Sequence, residues 1–300
     1  MPSPSQATES GGVAALHGPP AQLLPSVRRA RPILGTMVGI SVYDQLAELK
    51  LHAAIDAAFA CIERVHALMS FHLPDSELSR LNRDAVRRAQ QVDPHTYAVF
   101  DAALRMAASS GGAFDPCIAP RLEEWGLLPH SAVPVDPSGN WRDIELLPGR
   151  RIRYSRPVRV DLGGIAKGYA VDLAVRSIQR YGVENIVVNA GGDLRVVGSH
   201  TQSVRLRCPS SPLYSAHAVD LCNAALATSA DYFSRRASAT DGVSALVNPR
   251  DNTPYLGGRS VSVRAEDCMT ADALTKVVMF APTAIAETVL ADYRAEAFYI

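Results

Sequence analysis

The chain has 300 residues, 47% of them hydrophobic and 20% charged, an ordinary balance for a globular protein. Lys plus Arg and Asp plus Glu each number 30, so the net charge is zero. That excludes a dedicated nucleic-acid binder, whose phosphate contacts draw on a basic excess. No stretch reaches the ~20 consecutive apolar residues of a membrane-spanning helix, so no membrane partner is expected. Cys61, Cys117, Cys208, Cys222 and Cys268 lie far apart with no CxxC pair. Such usage fits reduced thiols in a cytoplasm.

Residues 1–31 hold Pro, Ser, Gly, Gln and Ala without a usable period and read as a disordered leader. Their apolar pieces, 13–16 and 21–24, are shorter than the ~7–15 residues of a signal-peptide core. The folded domain is expected over 32–300. Residues 36–42 alternate as a strand. A long helix is predicted over 46–68, with Ala57, Ile62, Val65 and Leu68 available for an apolar face. A short helix follows over 75–82, capped by Asp75, and another over 93–108, closed by Gly111 and Gly112. Residues 129–150, rich in Pro, Gly, Ser and Asn, read as a surface excursion. Beyond them, 158–162 is β-like and a helix runs to 181, ended by Gly182. Short strands are expected at 185–189, 194–197, 203–206, 216–221, 225–228, 244–247 and 260–263. Helices over 270–280 and 282–293 and a strand at 297–300 complete the chain. Many neighbouring strands and few helices favour an α+β fold, with antiparallel or mixed sheets and packed helices, over a doubly wound parallel sheet.

One segment carries more chemistry than the rest: Val160-Asp161-Leu162-Gly163-Gly164-Ile165-Ala166-Lys167-Gly168-Tyr169-Ala170-Val171-Asp172. An extended run enters two glycines and becomes a helix, with Lys167 in its first turn. Backbone N–H groups, the positive end of a helix dipole and an ammonium then converge on one point, which suits phosphate. Asp161 and Asp172 would repel a bare phosphate. They imply another duty: a ribose hydroxyl, a flavin edge, a metal or a cap. Further aspartates sit beside tight turns at Asp115, Asp193, Asp231 and Asp272. Singly each reads as a turn or cap residue; together they read as the rim of one cleft.

The pieces in order are Leu34-Gly35-Thr36-Met37, Pro74-Asp75-Ser76-Glu77, Gly112-Ala113-Phe114-Asp115-Pro116 and the run from Asp161 to Asp172. After them come Gly191-Gly192-Asp193, Ala227-Thr228-Ser229, Asn248-Pro249-Arg250 and Ala271-Asp272-Ala273-Leu274. This set resembles the ApbE family of FAD:protein FMN transferases over about residues 32–300. The resemblance implies a protein that takes FAD and, with Mg2+, moves its FMN half onto a Thr or Ser hydroxyl of an acceptor protein, releasing AMP. It implies Asp272 and Lys167 as catalytic residues. It places His72, Ala113, Phe114, Asp115, Asp161 and Lys167 at the cofactor, with His72 standing where the family has an aromatic residue. Mg2+ would be held by the Gly164 carbonyl, the Asp272 carboxylate and a Thr hydroxyl one helical turn on. Asp272→Ala is then expected to weaken activity with little loss of stability.

The chain departs from that pattern. The position of the ligating Thr is Lys276, and an ammonium has no lone pair for a metal. Three readings stay open. Thr275, on the same helix face at i+3, stands in as a ligand. Alternatively, Lys276 itself neutralises the diphosphate. The third is a surface i,i+4 pair of Asp272 and Lys276 worth ~0.3–0.5 kcal/mol. The family's His-x-x-Asp-Pro is Ala245-Leu246-Val247-Asn248-Pro249 here, so a base for the acceptor hydroxyl must come from elsewhere, with Asp193 and Asp231 as candidates. Gly111-Gly112 stands where Asp-Gly is common. Two alternatives to transfer follow: an FAD-binding protein that has lost the activity, and a metal-dependent FAD pyrophosphatase.

Overall fold

The computed structural model describes residues 26–209, 211–231 and 242–300, with the backbone alone for 211–216. The first half of the chain gives β1 (Val27–Ile33), β2 (Thr36–Val42), α1 (Glu48–Met69), α2 (Glu77–Asp84), β3 (Gln90–Gln91), α3 (Pro94–Ser109) and α4 (Ala119–Glu124). Next come β4 (Ile144–Leu147), β5 (Arg151–Tyr154), α5 (Ala166–Gln179), β6 (Ile186–Ala190), β7 (Asp193–Val197), β8 (Gln202–Cys208) and β9 (Ser211–Leu221). The last part holds β10 (Ala224–Ala230), β11 (Val247–Asn248), β12 (Thr253–Pro254), β13 (Ser260–Ala265), α6 (Cys268–Phe280), α7 (Thr283–Asp292) and β14 (Glu296–Tyr299).

The fold is α+β. Its centre is a seven-stranded sheet in the order β1-β2-β6-β7-β10-β13-β14, antiparallel at every junction. Helices α1, α5 and α6 pack on one face, and the β8–β9 hairpin covers part of the other. Strand β10 shows the period-2 logic of a sheet buried on both sides. Ala225 and Ala227 face the main core under the helices, while Ala224 and Leu226 join Leu194, Val196, Leu206, Val219 and Leu221 under the hairpin.

Strand β1 takes in residues 27–31, which the sequence reading put in the leader; residues 1–25 lie outside the described residues. The strand hides its inward face behind arginines. Arg29 and Arg31 lay their guanidinium groups over the Phe59 ring, 5.9 and 4.5 Å from its centroid, and both pair with Asp56. Their stems do the packing while the charges stay wet. The cap of α2 is Ser76, not Asp75: its hydroxyl accepts the Ser79 N–H at 3.0 Å. The 129–150 excursion ends in structure. Strands β4 and β5 form a hairpin across Pro148, Gly149 and Arg150, with positive φ at Gly149 and Arg150, and β3 joins β5. The strand expected at 244–247 shrinks to β11, because only Val247 and Asn248 find a ladder partner, in β12.

Candidate functional site

Residues 158–162 are extended but belong to no strand. Their backbone bonds go instead to a side chain: Asn82 Nδ2 donates to the Val160 carbonyl and Asn82 Oδ1 accepts the Val160 N–H, both at 2.9 Å. An amide side chain carries the same donor and acceptor as a peptide group, so α2 holds this segment as a neighbouring strand would. The Asp161 N–H goes to the Pro116 carbonyl at 2.8 Å. The chain then turns through Gly163 and Gly164 and enters α5 at Ala166, with Lys167 in the first turn as expected.

Helices α5 and α6 meet at Gly168. A Cβ there would stand 2.2 Å from the Cys268 carbonyl oxygen, so only glycine permits this crossing. Asp172, one turn on, serves as the cap of the neighbouring helix: its carboxylate accepts the Cys268 and Met269 N–H groups at 3.0 and 2.9 Å and Arg195 at 2.8 Å. Asp267 takes the Thr270 N–H at 2.8 Å. Together these two carboxylates satisfy the first free donors of α6.

That crossing builds a buried charge cluster. Lys167 reaches Asp193, at the start of β7, and lies 3.6 Å from Asp272 Oδ2. Gly168 N–H donates to the same oxygen at 3.2 Å. Lys276 bonds Asp272 Oδ1 and, at 3.0 Å, the Asp272 carbonyl. Burial works against the charge on each group, but the balance differs. The two lysines outweigh it at Asp272, whose pKa falls below the usual carboxylate value. Asp193 and Asp272 outweigh it at Lys167, whose pKa lies above the usual lysine value. At Asp193, burial and the nearby Asp272 outweigh the lysines and raise the pKa.

In front of this cluster opens a cavity of about 700 Å³, within the ~300–1,000 Å³ usual for small-molecule sites. Its lining brings together His72, Ala113, Phe114, Asp115, Asp161, Gly164 and Lys167, all named from sequence, with Lys276 at the same end. Asp115 anchors the loop it sits in by accepting the Cys117 N–H at 2.8 Å and the Trp141 N–H at 3.3 Å. Burial raises the pKa of both Asp115 and Asp161. Asp272 and Thr275 are outside the lining. Asp272 is 1% exposed and stands behind the two lysines. The Thr275 hydroxyl contacts Ser229 Oγ on β10 and the Asp272 carbonyl, both at 2.7 Å, and is buried. Asp231 is likewise buried, with its Oδ2 accepting the Gly258 N–H at 3.3 Å.

A model of the ApbE family matches residues 34–299. The chain belongs to the ApbE family. An FAD:protein FMN transferase of Vibrio cholerae is 34% identical over 275 residues, 84% of this chain and 80% of that protein. The ApbE protein of Thermotoga maritima superposes over 91% of this chain and 94% of its own at a TM-score of 0.78, with 27% identity. The flavin transferase ApbE of Vibrio cholerae does so over 91% and 93%, at 0.73 and 26% identity.

Within this ApbE chain the sequence reading missed most of the apolar wall. Leu34, Phe71, Leu127, Leu246 and Phe280 line the cavity from five separate segments. No local pattern distinguishes them from core residues. Ala245 lines the cavity as well, while Asn248 forms the turn of its own loop, accepting the Arg250 N–H at 3.1 Å and donating to Asp251 at 3.0 Å. Among the described residues no three His, Cys, Asp or Glu side chains gather as a metal site, and no helix is long and apolar enough to cross a membrane.

Proposed function

We propose that this protein is an FAD:protein FMN transferase that moves FMN from FAD to a Thr or Ser hydroxyl of an acceptor protein. Family membership supports the reading, and one observation carries it: a largely apolar chamber that ends in ammonium groups at a glycine turn. Flat rings find Ala113, Phe114 and His72, with the Asp115 and Asp161 carboxylates at hand for polar edges of the flavin. The diphosphate belongs at the other end, where Lys167 offsets charge building on the phosphorus oxygens. The acceptor oxygen bonds to the FMN phosphorus as the bridging P–O bond breaks. AMP leaves with the bridging oxygen, and the hydroxyl proton passes to water. Asp272 positions Lys167. The five cysteines form no disulfide with one another, which supports a reducing compartment, and we place the activity in the cytoplasm.

Magnesium, which the family resemblance implies, does not fit the residues present. Both Asp272 oxygens are taken by N–H donors and the Thr275 hydroxyl is bonded toward the sheet. The Gly164 carbonyl alone makes no site for an ion that demands near-octahedral oxygen coordination.

The test is to incubate the full chain with FAD and protein from its own cells. AMP release together with flavin fluorescence on a denatured protein band is the expected result. AMP without bound flavin would mean hydrolysis, and FAD binding without AMP would mean a binder.

A further inference from the structure

We propose that Lys276 is a built-in cation: its ammonium binds the FAD diphosphate directly, so that FAD binding needs no divalent metal ion. The inference rests on the FAD reading above and concerns a residue that reading does not require.

Asp272 and Lys276 lie at i and i+4 on one face of α6. That face points at the glycine turn. A Cβ built on Gly164 would meet Lys276 Cε at 3.3 Å and Phe114 Cε2 at 3.6 Å, so the lysine stem runs along Gly164. Its head group ends on Asp272. The lysine thus fills the space between the Gly164 backbone and the Asp272 carboxylate. An ion shared by those two groups would have to displace it, and a cation already hydrogen-bonded to the carboxylate repels a second one.

The pair is also not a solvated surface contact. Side-chain exposure is 16% for Lys276 and 1% for Asp272. An ammonium carries three N–H donors. Two are spent on Asp272, at its Oδ1 and its carbonyl. The third is left for a ligand, and Lys276 lines the cavity beside Lys167. Two ammoniums side by side make a seat for the two phosphates of a dinucleotide, each through charge-assisted hydrogen bonds. A lysine supplies one unit of charge where a divalent ion supplies two, so binding leans more on the apolar wall.

The experiment is FAD binding by the intact chain, followed by flavin fluorescence in EDTA and in MgCl2. The wild type is expected to bind FAD equally well in both, within about twofold. Lys276→Thr is expected to lose roughly tenfold or more in EDTA, as befits a lost charged hydrogen bond, and to recover in MgCl2. Lys276→Arg keeps metal-independent binding. A wild type whose affinity rises tenfold on adding MgCl2 overturns the proposal. So does a folded Lys276→Thr that binds FAD like wild type in EDTA. If Lys276→Thr does not fold, the wild-type comparison still decides. Absence of FAD binding by the wild type in either buffer would remove the flavin reading itself, and this inference with it.

Discussion

Asp272 holds a charge at a nearly fully buried position because Lys167, Lys276 and the Gly168 N–H surround it. The sequence reading expected little loss of stability from Asp272→Ala, but the side chain is 1% exposed and bonded at both oxygens, which argues for a larger cost. Removal leaves Lys276 without its counter-charge and Lys167 with Asp193 alone, and breaking a buried pair costs about 3–5 kcal/mol. The lower end is expected, since Lys167 keeps contact with water. Urea unfolding of Asp272→Ala checks this; a midpoint equal to wild type would contradict it. A second residue contributes to the pH dependence of stability. His200 is buried, stacks on Tyr43 at 4.4 Å between centroids, and neither ring nitrogen finds a hydrogen-bond partner among the described residues. Burial lowers its pKa, with Asp44 opposing only in part. Its depressed folded pKa means that the unfolded chain takes up the proton first. Stability is then lost as pH falls below the unfolded value of about 6.5. Thermal melts between pH 7 and 5 should show that loss, and His200→Phe, which keeps the ring contact, should flatten the profile. At this scale the sequence was most legible where chemistry is local. Lys167, Asp115 and Asp161 announced themselves through glycine turns. For Asp172 the sequence left a ribose hydroxyl, a flavin edge, a metal and a cap open; the structure makes it a cap, whose partners on α6 lie about a hundred residues away and so could not be read locally.

Elements were legible where one period dominates. Strand β2 and helices α1, α3 and α5 follow from their own apolar spacing, and Gly182 marks the end of α5 at φ 70°. Failure came where a partner supplied what the segment lacked. Residues 158–162 have strand composition, yet Asn82 takes the ladder's role. Arginines 29 and 31 disguised β1 by burying only their stems. The contact of α5 with α6 gives the sharpest test at this scale. Gly168→Ala should force the two helices apart and cost about 1–3 kcal/mol or more, read as a drop in melting temperature. Gly164→Ala is the control. Its methyl would meet the flexible Lys276 stem at 3.3 Å rather than backbone, so stability should change little while FAD affinity falls. Equal melting temperatures for Gly168→Ala and wild type would show that the crossing has slack that the geometry denies.

At the scale of the whole molecule, the cavity is the place where distant parts of the chain arrive together. Leu34 comes from the β1–β2 turn, Phe71 from the end of α1, Phe114 and Asp115 from the loop after α3, and Leu246 from the segment before β11. No stretch of sequence contains the site, which explains why its charged rim was readable and its apolar wall was not. A ligand seated there can bind only the folded chain. FAD at a hundred times its dissociation constant should therefore add about 2.7 kcal/mol to stability. Calorimetry with increasing FAD should show a rising melting temperature, and a midpoint indifferent to saturating FAD would refute a site that exists only in the native state. The same geometry sets a schedule for biosynthesis. Leu34 and Phe71 leave the ribosome some two hundred residues before Lys276 and Phe280, so a nascent polypeptide has no complete place to capture flavin until the segment that carries Lys276 and Phe280 has emerged and folded.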